Sequence, residues 1–174
     1  MNCDTNDWPI PTWTEPETLS YLADLAKNAE FAVESGTYMG ASARAMLMNS
    51  DSLHLWCVDK FEVFGTEAIS RMFLHNWIAK GRCELIIGDT DRAFAMLPHM
   101  LGKLDFAWVD DGHAYDDLRR DIRTLLPLVK PGGKLVFHDF DIPHNDVAKG
   151  ILSMLPANQL EFPLPRMCAY RKPA

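Results

Sequence analysis

Acidic residues close five short apolar runs in this chain. Glu34 follows Phe31-Ala32-Val33, Asp59 follows His54 to Val58, and Asp89 follows Glu84 to Gly88; Asp110 and Asp139 end the runs that begin at Leu104 and Lys134. A carboxylate at the end of a buried segment needs a partner to offset its desolvation. Several of them at one edge suit a ligand that offers hydroxyl groups or carries positive charge. Two histidines stand among these acids: His113, in Asp110-Asp111-Gly112-His113, and His138, immediately before Asp139. With an ordinary pKa of ~6.5, a histidine can take up a proton near neutrality. The same ring can ligate a metal beside carboxylates.

The segment Glu34-Ser35-Gly36-Thr37-Tyr38-Met39-Gly40 supplies two glycines that let the backbone turn tightly, and the residues after it, Ser42 included, favour helix. It is neither the glycine pattern of nicotinamide enzymes nor a phosphate-binding P-loop, because Glu34 takes the first glycine position and no Gly-Lys-Ser/Thr is present. An acid at that point disfavours pyrophosphate and favours a cationic ligand group. Asp59 lies about twenty residues further on, where the acid ending a second strand accepts ribose hydroxyls in Rossmann folds. Asp89, in Gly88-Asp89-Thr90, is placed to meet an adenine amino group. Tyr38, Ser42 and Lys60 border these positions and belong to the same candidate set.

What must position these groups is an alternation of strands and helices. Ala41 to Met48 follows the first apolar run; Ile69, Met72, Phe73 and Trp77 recur at helical spacing after the second; Ala93, Phe94 and Leu97 follow the third. Leu118, Ile122 and Leu125 follow the fourth, and Val147, Ile151 and Leu155 the fifth, which opens after Pro131-Gly132-Gly133. Before them all, Thr14-Glu15-Pro16-Glu17 reads as a helix start with Thr14 as its cap. Leu160 to Phe162 and Met167 to Arg171 lack an intervening helix and pair as antiparallel strands. The expected fold is a doubly wound, Rossmann-like α/β domain with a mostly parallel seven-stranded sheet and an antiparallel C-terminal pair. Its ligand would lie beyond the carboxyl ends of the strands. One domain spans residues 1–174, with residues 1–14 as an arm that is either frayed or a flap over the site.

In this order, Glu34-x-Gly36-x-x-x-Gly40, Asp59, Gly88-Asp89-Thr90 and Lys130-Pro131-Gly132-Gly133 resemble the motifs of class I S-adenosylmethionine-dependent methyltransferases. More narrowly, Val109 to Tyr115, Asp121 and His138-Asp139 resemble the small-molecule O-methyltransferases that include macrolide-sugar and cephalosporin-type enzymes. The chain departs from that group by reading Asp110-Asp111-Gly112-His113 where Asp-Gly-Asp-His is usual. The resemblance implies S-adenosylmethionine as cofactor, held by Glu34, Gly36, Tyr38, Gly40, Ser42, Asp59, Lys60, Gly88, Asp89, Thr90 and Asp110. It also implies catalysis by His113 with Asp110, and Mg²⁺ or Mn²⁺ at Asp110, His138 and Asp139, with Asp141 or Asp111 as substitute ligands. His138 stands where a carboxylate is common, so a softer ion or a site without metal is an equal reading.

Blander readings accompany these. His113 can cap the helix near Tyr115, and His138 can be a hydrogen-bonded core residue, while His99 and His144 read as surface. Asp116 to Arg123 reads as a solvated helix face. Trp56, Trp77 and Trp108 read as core, as do Tyr38, Phe61, Phe64 and Phe140 unless they wall a pocket. A formal charge of -7 and a pI near 5.3 disfavour nucleic acid, and no run is long enough for a membrane span. The scattered Cys3, Cys57, Cys83 and Cys168 read as reduced thiols of a cytoplasmic protein. The partner expected is a small-molecule acceptor whose pocket draws on the N-terminal arm, the loops at 61–66 and 141–146, or a second subunit, which makes a homo-oligomer a reading too. A cofactor-binding sensor or assembly protein of the same fold is the alternative to an enzyme.

Overall fold

The computed structural model describes residues 10–143 and 146–173. Cys3, the first nine residues of the arm and His144 lie outside the described residues. Strands β1 (Phe31–Ser35), β2 (His54–Asp59), β3 (Cys83–Ile87), β4 (Leu104–Val109) and β5 (Val129–Phe137) alternate with helices α1 (Pro16–Ala26), α2 (Ala41–Met48), α3 (Thr66–Ala79), α4 (Thr90–Met96) and α5 (Tyr115–Leu125). Helix α6 (Val147–Met154) precedes β6 (Leu160–Glu161) and β7 (Cys168–Arg171). The sheet is seven-stranded in the order β3-β2-β1-β4-β5-β7-β6. The first five strands are parallel, and β7 runs antiparallel to both β5 and β6. This is the expected Rossmann-like fold.

The central strands β1, β2 and β4 are mostly apolar and buried because both faces of the sheet are covered there. One core layer gathers Val33, Trp56, Val109, Phe137, Leu118 and Ile122. The other gathers Ala32, Leu55, Phe106, Trp108, Leu22 and Leu74. Alternate residues of a strand thus feed opposite layers, as with Trp108 and Val109. Trp56 and Trp108 are buried, and Trp77 packs partly buried on the second layer. Phe64 is fully exposed, contrary to its reading as core. It belongs to the loop between β2 and α3.

Three local expectations change. Strand β5 begins at Val129, before the Pro-Gly-Gly turn, and the register between β4 and β5 shifts between Leu104 and Phe106 to absorb the extra residues as a bulge. The cap of α1 is Glu15 rather than Thr14, with Pro16 at the first helical position and no side-chain capping bond. Glu15 is engaged elsewhere, as described below. Asp121 is not solvated: it is fully buried and accepts a 2.6 Å hydrogen bond from Thr90 Oγ1, which ties α4 to α5. Burial pushes its carboxyl up to about 6.

Candidate functional site

The strand order reverses between β1 and β4, and in such sheets the crevice outside that point receives the ligand. Here the backbone is drawn together tightly. Gly36 N donates to Val58 O at 2.9 Å and Asp110 N to Ser35 O at 2.8 Å. Gly36 has φ +90, and a Cβ on it would stand 2.4 Å from Asp110 O. Only glycine fits, so this residue lets the β1 turn pass against the end of β4.

A cavity of about 620 Å³ opens above this junction. Of the residues singled out in the sequence, Gly36, Tyr38, Ser42, Asp59, Lys60, Asp110, His113, His138 and Asp139 line it. Asp59 braces its floor: Oδ2 accepts from Tyr38 N at 2.7 Å and Oδ1 from Phe61 N at 2.6 Å. Both donors sit at positive φ, 51 and 52, so the carboxylate holds two bulky residues in left-handed turns. Each oxygen keeps a lone pair for a ligand hydroxyl. Thr37, also on the wall, has a buried hydroxyl beside the Glu34 carboxyl. The acids Asp59, Glu62, Asp110, Asp111 and Asp139 on the lining outnumber Lys60, Arg166 and the two histidines, His113 and His138, which suits a ligand with positive charge. Volume, the glycine turn and the ribose-type acid fit a nucleoside cofactor carrying a cationic centre.

The other candidates lie off the cavity lining. Glu34 is fully buried beneath the turn and accepts a hydrogen bond from Ser42 Oγ. Burial raises its carboxyl to about 7, and the nearby Asp110 adds to the rise. Gly40 packs against the Leu74 side chain and caps α2. At the end of β3, Asp89 caps α4, accepting from Arg92 N at 3.3 Å, beside Gly88 and Thr90. Asp141 lines a separate pocket with Phe140 and Phe162.

His113 and Asp139 also line this cavity. His113 Nε2 lies 2.8 Å from Asp139 Oδ2, and its side chain is half exposed. The cap of α5 is Ala114, so His113 is left to the site rather than to the helix. Its hydrogen bond to Asp139 raises the imidazole above its ordinary value, against a smaller lowering by burial. The reversed pair before it has a structural reason: Gly112 has φ +29, and a Cβ there would come within 2.7 Å of Asp117 Cβ in the first turn of α5. A residue with a side chain at that position would push α5 away. Asp111, its neighbour, lines the cavity.

His138 is buried against three carboxylates. Its Nδ1 lies 3.2 Å from Asp110 Oδ1 and 3.1 Å from Asp139 Oδ1, and its Nε2 lies 3.0 Å from Glu15 Oε2. Burial alone would lower its pKa, but the hydrogen bonds to Asp110 and Asp139 carry it up to about 10. Burial raises the Asp110 carboxyl. Burial also acts to raise Asp139, but His113, His138 and Arg166 together hold it far below the usual carboxylate range. Arg166 Nη1 donates to Glu15 Oε1 and Nη2 to Asp139 Oδ1. Glu15 and Arg166 were not singled out in the sequence. The available signals were an arginine inside a Pro-rich apolar turn and a glutamate set beside the Pro that starts a helix. Thr12, Trp13 and Thr14 line the cavity as well, so this end of the arm borders the site.

Asp110, His138 and Asp139 offer ligand atoms within 4.8 Å of one another, a spacing that a divalent ion can bridge. Asp139, however, is already engaged by the Arg166 guanidinium and by the rings of His113 and His138, and as arranged the cluster does not fit a metal ion.

Residues 33–140 match the model of a family described as a methyltransferase domain. The chain belongs to this methyltransferase family. The resemblance to class I S-adenosylmethionine-dependent methyltransferases thus holds in both motif order and fold. No curated protein matches by sequence. Among solved structures, the chain is similar to the apo TDP-rhamnose 3'-O-methyltransferase of calicheamicin biosynthesis, with 15% identity and TM-score 0.72 over 89% of this chain and 77% of that one. It is similar to a putative O-methyltransferase from Klebsiella pneumoniae, with 15% identity and TM-score 0.73 over 94% and 84%. A Bacillus cereus O-methyltransferase in complex with SAH gives 14% identity and TM-score 0.70 over 91% and 82%. At these identities the likeness is one of fold. No described helix is long and apolar enough to cross a membrane.

Proposed function

We propose that this methyltransferase moves a methyl group from S-adenosylmethionine to a hydroxyl of a small acceptor, with His113 as general base. The observation that carries the reading is the His113–Asp139 pair, 2.8 Å apart, on the wall of a cavity that also reaches Gly36 and Asp59. Bound S-adenosylmethionine supplies an electrophilic methyl group on a cationic sulfur. The chain's own part is alignment and proton removal.

Asp59 would take the ribose hydroxyls with the lone pairs left by its two backbone donors, and the Gly36 turn lets a ligand approach the backbone. The acidic lining would favour the cationic cofactor over its neutral product. Asp139 accepts from His113 Nε2, which leaves Nδ1 as the nitrogen to take the acceptor's proton; the carboxylate then stabilises the imidazolium formed. The 3'-O-methyltransferase among the similar structures acts on a sugar hydroxyl, and this supports a small polyhydroxylated acceptor. No step is assigned to Mg²⁺ or Mn²⁺, because the donor set is already engaged.

His113→Ala is the test. Turnover is expected to fall by about 10²–10⁴-fold, the usual worth of a general base, while calorimetry shows S-adenosylhomocysteine affinity unchanged. Full activity in this variant would remove the assigned role. The alternative, a cofactor-binding sensor of the same fold, rests on the off-pattern Asp111-Gly112 pair and His138, and turnover with any acceptor rules it out.

A further inference from the structure

We propose that Arg166, locked between Glu15 and Asp139, closes the acidic cluster to divalent metal, so that a fixed guanidinium stands where a metal ion would otherwise sit. The inference deepens the methyl-transfer reading, although its structural part is independent of it.

The geometry is specific. A guanidinium is planar and presents paired donors, and here one terminal nitrogen goes to Glu15 and the other to Asp139. The His138 ring lies beside it with both nitrogens directed at carboxylate oxygens, Nε2 at Glu15 and Nδ1 at Asp110 and Asp139. With Glu15 and Asp139 already engaged by the guanidinium, and with Asp110 and Asp139 both directed at the His138 ring, a divalent ion would have to expel Arg166 from two ion pairs to reach these oxygens.

The arrangement is built by the fold. Glu15 is the cap residue of α1 but makes no capping bond with its side chain. Arg166 lies in the turn before β7 at φ 62, and its carbonyl accepts from Phe140 N at 3.1 Å, which anchors the turn to the residue after Asp139. Arg166 lines both the main cavity and the pocket at Phe162. It is a positioning residue: it holds Oδ1 of the carboxylate whose Oδ2 faces His113. Without a metal to acidify the acceptor hydroxyl, deprotonation rests on His113.

The test is Mn²⁺ binding, measured by titration calorimetry and by the electron paramagnetic resonance of free Mn²⁺, with no cofactor or acceptor present. Wild type is expected to show no stoichiometric site. Arg166→Gln, which keeps side-chain bulk and hydrogen bonding, is expected to bind one Mn²⁺ at least about tenfold more tightly than wild type, a gain of 1.4 kcal/mol or more. Adding Asp139→Asn to that variant is expected to abolish the gain. A stoichiometric site in wild type would overturn the proposal, as would an Arg166→Gln protein that is folded by circular dichroism yet gains no binding. Arg166→Ala repeats the measurement if the glutamine variant does not fold. None of these readouts uses methyl transfer, so failure to find an acceptor would count against the proposed function alone. Where turnover is measured, the proposal requires that EDTA leave it unchanged; loss with EDTA contradicts it.

Discussion

With His113 as the proposed base, its pairing with Asp139 governs the pH dependence to be expected. The hydrogen bond to Asp139 raises the His113 imidazole, so the folded protein holds this proton to a higher pH than a free histidine does. A general base works only when unprotonated, and the acidic limb of turnover is therefore expected above pH ~6.5. Asp139→Asn removes the carboxylate that favours the imidazolium, so it should move that limb downward and reduce the maximal rate. A pH profile of kcat for the two proteins checks this; an unmoved limb would mean that His113 is not the titrating base. His113 was legible as a candidate from its spacing after Asp110. Glu15 and Arg166 were not, since they stand 151 positions apart and nothing local marks either as part of one cluster. Glu15 shows why: helix-start rules rank side chains by their reach to nearby amides, whereas this one is drawn to two distant cations.

At the scale of elements, the turn after β1 joins fold and site. Gly36→Ala would place a methyl 2.4 Å from Asp110 O at a left-handed φ. The conformational cost alone is about 1–2 kcal/mol, and the clash must push β1 and β4 apart at their carboxyl ends. Chemical denaturation should show a larger loss than that figure, with weakened cofactor binding in the surviving folded fraction. Glu34 beneath the turn makes a separate prediction. Its folded pKa of about 7 stands above the ordinary 4.5, so its contribution is fully present below pH ~4.5 and is lost as pH rises through ~7. Glu34→Gln cannot ionise and keeps an acceptor for Ser42. Its stability relative to wild type should rise across that window, by about 3 kcal/mol at the alkaline end. Parallel thermal melts from pH 4 to 8 test this, and a constant difference between the two proteins would contradict it. The strands were readable because each is a local apolar run ended by an acid. The bulge at Pro131-Gly132-Gly133 was not, because a turn signal does not reveal that the ladder has begun upstream, at Val129.

Across the whole molecule, the sheet order does what no single motif can. By placing β4 beside β1 it brings Asp110 and His113 across the crevice from Asp59, and the antiparallel return to β7 delivers Arg166 to the same edge. The βα alternation made a mostly parallel sheet the economical expectation, but not its strand order, which sets β4 rather than β3 beside β1. The reach of the tail into the site was hidden, because pairing β6 with β7 does not say which residues of their connecting turn face inward. The solvated reading of Asp121 failed on the same grounds: helical spacing identifies a face, while only the packing of α4 on α5 decides that Asp121 points to Thr90. The ends of β1, β2, β4 and β5 and the turn before β7 all border one cavity. The most direct measurement is calorimetric titration of S-adenosylhomocysteine into wild type and Asp59→Ala. One site of micromolar affinity is expected in wild type, and a loss of about tenfold or more in the variant. No binding by wild type, or equal binding by the two proteins, would contradict this expectation.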